Sequence, residues 1–247
     1  MFVIAHRGAN KFAPQNTIEA FRKAAELDSD GVETDVRTTK DGHLILCHNS
    51  AVNGTSDGTG KIKNMYLGEI INLDFGSWFG GRFENTAIPT LDDFFRTMKE
   101  TDMKIINIEL KPEKGKENLV GRVISKAEDY GLKDRLMISS FDAGLLIKAK
   151  EISPDVKTGY LYPYYGNIVL AKFFDPVYKA MKNRIEFILP QYSYVTRELI
   201  QKAHKYGVKV AAWTVNNINL IRRFHEWEMD GVITDYPDIM KNKINSL

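Results

Sequence analysis

Cysteine is nearly absent. Cys47 is the only one in 247 residues, which excludes an intramolecular disulfide and a multi-cysteine zinc site. Net charge is nearly absent too: 34 Lys and Arg stand against 32 Asp and Glu, a balance of +2. That excludes a strongly basic nucleic-acid binder and an acidic-tail protein. No apolar run reaches the ~18 residues of a transmembrane helix, so no stable membrane insertion is expected. The N-terminus lacks a basic region followed by a long apolar stretch. Phe2-Val3-Ile4-Ala5 runs straight into His6-Arg7-Gly8, which leaves no room for a signal peptide and makes a cytoplasmic location the expectation. What the chain does have is 43% hydrophobic and 27% charged residues, the proportions of a globular protein. Its length suits one large α/β domain, so 1–247 is expected to be a single domain.

Short β-branched runs alternate with amphipathic stretches. The expected strands are Phe2–Ala5, Gly31–Arg37, Lys104–Leu110, Arg135–Ser140, Lys157–Leu161, Ile185–Leu189, Lys209–Val215 and Gly231–Thr234. They are continuously apolar or alternate with period two, as strands buried on both faces do. Between them lie helical stripes. Asn16, with Glu19 at capping-box spacing, opens the first, and Thr90, Asp142 and Thr196 open later ones. Gly131 and Gly207 stop two of them, Pro237 suits the first turn of the last, and Phe174, Val177, Tyr178 and Met181 make one further stripe. Eight strands alternating with helices predict a parallel sheet closed into a (β/α)8 TIM barrel. An open doubly wound sheet is the alternative that periodicity alone leaves standing.

The alternation is interrupted after the second strand, in residues of about 42–89. This stretch holds a short strand, His43–Cys47, then a Gly/Ser/Thr/Asn-rich loop, Asn49–Gly60, then Phe75, Trp78, Phe79 and Phe83 among glycines. It reads as a small insertion on one end of the barrel, too short for a core of its own. Its aromatic residues are either the insertion's own packing or a lid that contacts lipid.

Active sites of such barrels lie at the C-terminal ends of the strands. Glu33 and Asp35 are spaced i and i+2, so both face the same side of the second strand; Glu109 and Lys111 repeat the spacing on the third. Two unit charges ~4 Å apart cost about 4 kcal/mol at an effective dielectric near 20. Three carboxylates at one mouth therefore need protons, local cations such as Lys111, or a hard divalent ion, Mg²⁺ or Ca²⁺. His6 and His48 fall at strand ends beside them and form a candidate acid–base pair. Arg7 and Lys111 add fixed positive charge suited to phosphate. With a divalent ion bound, the site carries one net positive charge, which matches a phosphodiester. Trp213 is either a ligand platform or core, and Cys47, inside an apolar strand, is a buried spectator. His43, His204 and His225 read as surface or groove residues.

These motifs are similar to those of the glycerophosphodiester phosphodiesterases. The resemblance rests on His6-Arg7-Gly8, Pro14-Gln15-Asn16-Thr17, Glu33-Thr34-Asp35-Val36, Thr39-Lys40-Asp41-Gly42, Cys47-His48, Ile88-Pro89-Thr90-Leu91 and Asn107-Ile108-Glu109-Leu110-Lys111. It continues through Ser139-Ser140-Phe141-Asp142, Ala212-Trp213-Thr214-Val215-Asn216 and Asp230-Gly231-Val232-Ile233-Thr234-Asp235-Tyr236-Pro237, in the family's order over almost the whole chain. The resemblance implies a TIM barrel of the phosphatidylinositol phospholipase C-like type. It implies Mg²⁺ or Ca²⁺ on Glu33, Asp35 and Glu109, His6 as general base, His48 as general acid, and Arg7 and Lys111 on the phosphate. Glycerol 3-phosphate and a free alcohol would be the products, formed through a cyclic phosphate.

Two positions depart from the family. Gln15 stands where it usually has Glu, and Asn49 follows His48 where it usually has Asp. The Arg that normally follows a few residues on is missing from Ala51-Val52-Asn53-Gly54-Thr55. Two rival functions remain in view: a lysophospholipase D or sphingomyelinase D-like phosphodiesterase, and a catalytically silent glycerophosphodiester-binding protein. Oligomeric state, native metal and headgroup preference have no signature in the sequence.

Overall fold

The computed structural model describes residues 1–112, 118–162 and 175–247. Among the described residues nine strands form one sheet: β1 (Phe2–His6), β2 (Gly31–Thr38), β3 (Leu44–Leu46), β4 (Ile105–Leu110), β5 (Leu136–Ser140), β6 (Lys157–Tyr162), β7 (Phe187–Pro190), β8 (Lys209–Ala212) and β9 (Gly231–Thr234). All but β3 run parallel in the order β1-β9-β8-β7-β6-β5-β4-β2, and β1 also pairs with β2, matching Ile4 with Gly31 and His6 with Glu33. That last pairing closes the barrel and removes the open-sheet alternative.

Helices cover the outside, from Ile18–Glu26 after β1 to Pro237–Asn245 after β9. The strands are apolar on both faces because they serve two cores. Outward residues such as Val32, Ile106, Ile138 and Val210 pack with helix residues including Phe21, Phe94, Phe95 and Phe224. Inward residues Ile4, Met137, Leu161, Phe187, Leu189, Ala211 and Ile233 fill the barrel. The inner packing gives way to polar side chains toward the C-terminal strand ends. Thr90, Asp142 and Thr196 cap their helices as the sequence predicts. The stripe beginning at Phe174 is described only from Asp175, which caps the helix Pro176–Lys182; Phe174 lies outside the described residues.

Two expectations need correction. Asn16 does not cap the first helix; Thr17 does, accepting from the Ala20 N–H. Asn16 sits instead in the left-handed region at φ 59°. It donates to Asp35 Oδ2 at 3.0 Å and accepts from Thr34 Oγ1 at 2.8 Å. A buried tertiary tie outbids a local cap. The insertion also does have a small core: Val52, Ile62, Ile70, Phe75 and Ile88 pack with Ile45 and Cys47 at the base. That core is mainly aliphatic. Of the aromatic set only Phe75 is buried, while Trp78, 46% exposed, stacks edge-to-face on Phe79, and Phe79 on Phe83, at the surface.

The insertion positions part of the site. β2 is long enough to pair with β1 along its first half and with β3, antiparallel, along its second, where Val36 matches Leu46. Cys47 N donates to Asp35 O at 2.9 Å. This tie carries the next residue, His48, over the barrel mouth.

At the end of β1 the chain turns sharply through Arg7 at φ 57° and Gly8 at φ 77°. A Cβ on Gly8 would stand 2.7 Å from the carbonyl carbon and Cβ of Ala20. Only glycine permits both the positive φ and this approach of the first helix. Gly8→Ala is expected to destabilise the fold by about 1–3 kcal/mol, read as a shift in the denaturation midpoint at unchanged slope.

Candidate active site

Residues from β1, β2, β4, β5, β6 and β9, and from the segments following β3 and β8, line one cleft of about 200 Å³ at the C-terminal end of the barrel, among them His6, Arg7, Glu33, His48, Glu109, Lys111 and Trp213. The expected catalytic, phosphate-binding and platform residues thus meet in one place. Asp35 lies directly behind the wall, fully buried.

Alternation along the strands explains the acidic cluster. Glu33 and Asp35 point inward from β2, and Glu109 on β4 is the cross-strand partner of Asp35. Glu33, Asp35 and Glu109 each place one oxygen within 4.8 Å of the others. Lys111 reaches into the same cluster, its Nζ lying 2.7 Å from Asp35 Oδ1 and 2.5 Å from Glu109 Oε1. Local ion pairing and convergence, alternatives at the level of sequence, are both realised. Arg7 N–H donates to Glu33 Oε2 at 3.0 Å, and Arg7 Nε lies 3.5 Å from Asp35 Oδ2. Gln15 Oε1 accepts from Arg7 Nη1 at 2.5 Å. The first departure from the family therefore supplies a neutral acceptor for this guanidinium.

The three carboxyls divide into two kinds. Burial pushes Asp35 up, but Lys111 and Arg7 outweigh it and hold Asp35 at about 2. Burial, and then repulsion by Asp35, raises Glu109 to about 7 against the pull of Lys111. Glu33 is driven well above the carboxylate range by burial, then by Asp35 and Glu109. Two acids held partly protonated beside an ionised one, with only oxygen donors, fit a hard divalent cation that would displace those protons. The one thiol nearby does not compete, since burial lifts Cys47 to about 11.

A pH-dependent outcome follows. Without a cation, the folded protein holds protons on Glu109 that the unfolded chain releases near the ordinary 4.5. Between there and about 7 the folded state binds more protons, so this group's contribution to stability falls as pH rises. Cation binding competes with those protons. The rise in Tm on adding Mg²⁺ or Ca²⁺ to EDTA-treated protein is expected to be small at about pH 5 and to grow up to about pH 7–8. A shift independent of pH would count against carboxylate coordination.

The histidines occupy different settings. His6 Nδ1 lies 2.7 Å from Asp235 Oδ1. Asp235 is held further by Asn10 Nδ2 at 2.6 Å and Asn216 Nδ2 at 2.7 Å. Burial raises Asp235, but its bonds to His6, Asn10 and Asn216 outweigh that and keep it ionised far below the usual range. An ionised carboxylate only accepts, so Nδ1 carries the proton and a neutral His6 presents a bare Nε2. His48 is half-buried, and its Nδ1 meets Asn49 Oδ1 at 3.0 Å. Burial lowers its pKa, and the charges of Arg7 and Lys111 add to this against Asp35. Trp213 is both wall and core: its Nε1 donates to Leu189 O at 2.8 Å, and its ring meets Phe141 edge-on at 5.7 Å.

The sequence reading puts Asp235 at the end of the last strand without giving it a role. The signal was available only through closure, because β9 pairs with β1 and carries Thr234 beside Ala5. Asn10, Asn107 and Ser139 were likewise not singled out for the site.

Comparison with known proteins agrees with this arrangement. The model of the glycerophosphoryl diester phosphodiesterase family matches residues 6–239. A glycerophosphodiester phosphodiesterase of Caldanaerobacter subterraneus subsp. tengcongensis is 36% identical over 246 residues, covering 98% of this chain and 97% of that one. A putative glycerophosphoryl diester phosphodiesterase from Silicibacter pomeroyi superimposes with a TM-score of 0.89 at 26% identity, over 100% of this chain and 93% of that one. A phosphodiesterase of Oleispira antarctica, in complex with the product sn-glycerol-3-phosphate, gives 0.84 at 28% identity over 99% and 97%. With a match across nearly the whole barrel and its mouth, the chain belongs to the glycerophosphoryl diester phosphodiesterase family of enzymes.

Proposed function

We propose that the protein hydrolyses glycerophosphodiesters to sn-glycerol 3-phosphate and an alcohol, with His6 and His48 as the acid–base pair. The chain 1–247 would act as one barrel domain carrying the insertion 42–89. One observation carries the reading: two imidazoles, one backed by an ionised carboxylate, face the same cleft as a buried three-carboxylate cluster. The product complex of the Oleispira antarctica relative supports the substrate class.

Glu33, Asp35 and Glu109 would hold one divalent cation, Mg²⁺ or Ca²⁺. When bound there, it would acidify a coordinated hydroxyl and neutralise phosphate charge. His6 Nε2, kept bare by Asp235, takes the proton from the glycerol hydroxyl next to the phosphate. That oxygen attacks phosphorus, the ester bond to the alcohol breaks, and His48 returns a proton to the departing oxygen. The cyclic phosphate is then opened by water with the two histidines exchanging roles. Arg7 and Lys111 face the charge that builds on the phosphoryl oxygens. Trp213, with Phe141, walls the apolar side of the cleft.

The test is release of glycerol 3-phosphate from several deacylated phospholipids, in EDTA and with each metal restored. Metal-dependent release is the expected result. Turnover of lyso-lipids but not of the water-soluble diesters would transfer the protein to the lysophospholipase D-like class. Ligand binding without product under either metal would make it a sensor. No helix among the described residues is long and apolar enough to cross a membrane.

A further inference from the structure

Two side chains at the floor of the cleft have no task in that scheme. Asn107 on β4 is fully buried, and neither its Oδ1 nor its Nδ2 has a hydrogen-bond partner among the described residues. Ser139 on β5 is also fully buried, and its hydroxyl is likewise unpartnered. Both line the cleft beside Glu33 and Glu109. Leaving a buried amide unpaired is costly, because its desolvation goes uncompensated. An apolar residue of similar volume would fill the space without that penalty, so packing alone does not account for Asn107.

Position narrows what these groups meet. Asn107 precedes Glu109 by two residues, so it shares that residue's inward face about 6.7 Å deeper along the strand. Its cross-strand partner is Glu33, while Ser139 pairs with Glu109. Asn107 is therefore level with Glu33 and Ser139 with Glu109, which sets both polar groups beside the acidic cluster. Leu161, Ile233 and Trp213 form the apolar wall of the same cleft. An amide offers a donor and an acceptor and carries no charge. It complements a hydroxyl group, and it suits the neutral end of a ligand whose phosphate faces Arg7 and Lys111.

We propose that Asn107, with Ser139 beside it, binds the terminal hydroxyl of the substrate's glycerol, the one that takes no part in the reaction. The inference rests on the glycerophosphodiesterase reading and deepens it. It makes Asn107 a specificity residue: a diester whose terminal oxygen is missing or acylated leaves the floor unpaired and is rejected. A site built around a hydroxyl discriminates strongly against the analogue that lacks it, because its own polar groups then stay buried and unsatisfied.

The experiment compares kcat/KM for sn-glycero-3-phosphocholine and its 1-deoxy analogue, the phosphocholine ester of propane-1,2-diol, which keeps the phosphate and the attacking hydroxyl. Wild type is expected to prefer the glycerol compound by about 10²-fold or more. Asn107→Leu should lower turnover of the glycerol compound by about 10–10²-fold and leave the analogue within a few-fold, so that the preference collapses. Ser139→Ala should move the same ratio in the same direction by less, and it carries the test if Asn107→Leu does not fold. Equal losses on both substrates, or a preference that survives both substitutions, would overturn the proposal. Calorimetric binding of glycerol 3-phosphate against propane-1,2-diol phosphate separates the two levels. Equal affinity of wild type for both refutes hydroxyl recognition even where turnover is normal. Absence of any glycerol 3-phosphate release by wild type ends the underlying reading, and this inference with it.

Discussion

His6→Ala and His48→Ala are each expected to lower kcat about 10²–10⁴-fold with the fold intact. His6 is partly exposed and His48 is half-buried, so truncating either opens no core cavity. The sharper test is Asp235→Asn. Asp235 accepts from His6 Nδ1 and is fixed by Asn10 and Asn216. An amide there can donate to Nδ1, which moves the imidazole proton onto Nε2 and blocks the base. The same variant removes the charge that stabilises the imidazolium formed during reaction. Asp235→Asn should therefore lose a comparable factor, and combining it with His6→Ala should add little, because both act through one group. Full metal-dependent turnover in both histidine variants would rule out acid–base catalysis by this pair. The alkaline limb of the pH profile carries a further sign. His48 must be protonated to act as acid, and burial lowers its pKa. Activity in kcat/KM should fall as pH rises through a value below the ordinary histidine range, and Asn49→Asp should move that limb upward.

Asp35→Ala is the second large effect, expected to abolish metal-dependent turnover and to destabilise the protein together. Asp35 is fully buried and faces Lys111 Nζ at 2.7 Å and Arg7 Nε at 3.5 Å. It also accepts from Asn16 at 3.0 Å, which holds the turn before the first helix. Removing it leaves the Lys111 ammonium with Glu109 as its remaining carboxyl partner and the Arg7 guanidinium with the neutral Gln15. Breaking a buried pair from one side costs about 3–5 kcal/mol. For a chain of this size that is roughly 6–20 °C in Tm. Glu109→Gln is the informative contrast. Glu109 already holds a proton up to about 7, so its amide replaces a group that is neutral in the cation-free fold at mildly acid pH. It should remove cation-induced stabilisation while leaving the cation-free Tm near wild type. If both variants lose stability alike and Mg²⁺ or Ca²⁺ raises the Tm of neither wild type nor Glu109→Gln, the cluster is a structural ion-pair network.

The barrel was legible along the chain because its physics is local. A strand buried on both faces must be apolar throughout, and a helix covering it must repeat every three to four residues. Hence eight strand positions, the caps at Thr90, Asp142 and Thr196, and the stops at Gly131 and Gly207 could be read directly. Spacing also placed Glu33 with Asp35, and Glu109 with Lys111, on shared faces. Local pattern thus sufficed for the barrel strands, the shared face of the acids and the family. Only tertiary closure decided which residues touch. The pairing of β1 with β9 sets Asp235 on His6, a contact between residues 229 apart in the chain. The antiparallel seat of β3 on β2 swings His48 over the cleft. Asn107 on β4 is buried with no hydrogen-bond partner among the described residues, and Asn16 gives up its cap for Asp35. The His6–Asp235 and Asn16–Asp35 ties are hydrogen bonds between separate elements. Their free energy exists only after the chain has closed around them and excluded water, so no local pattern encodes them.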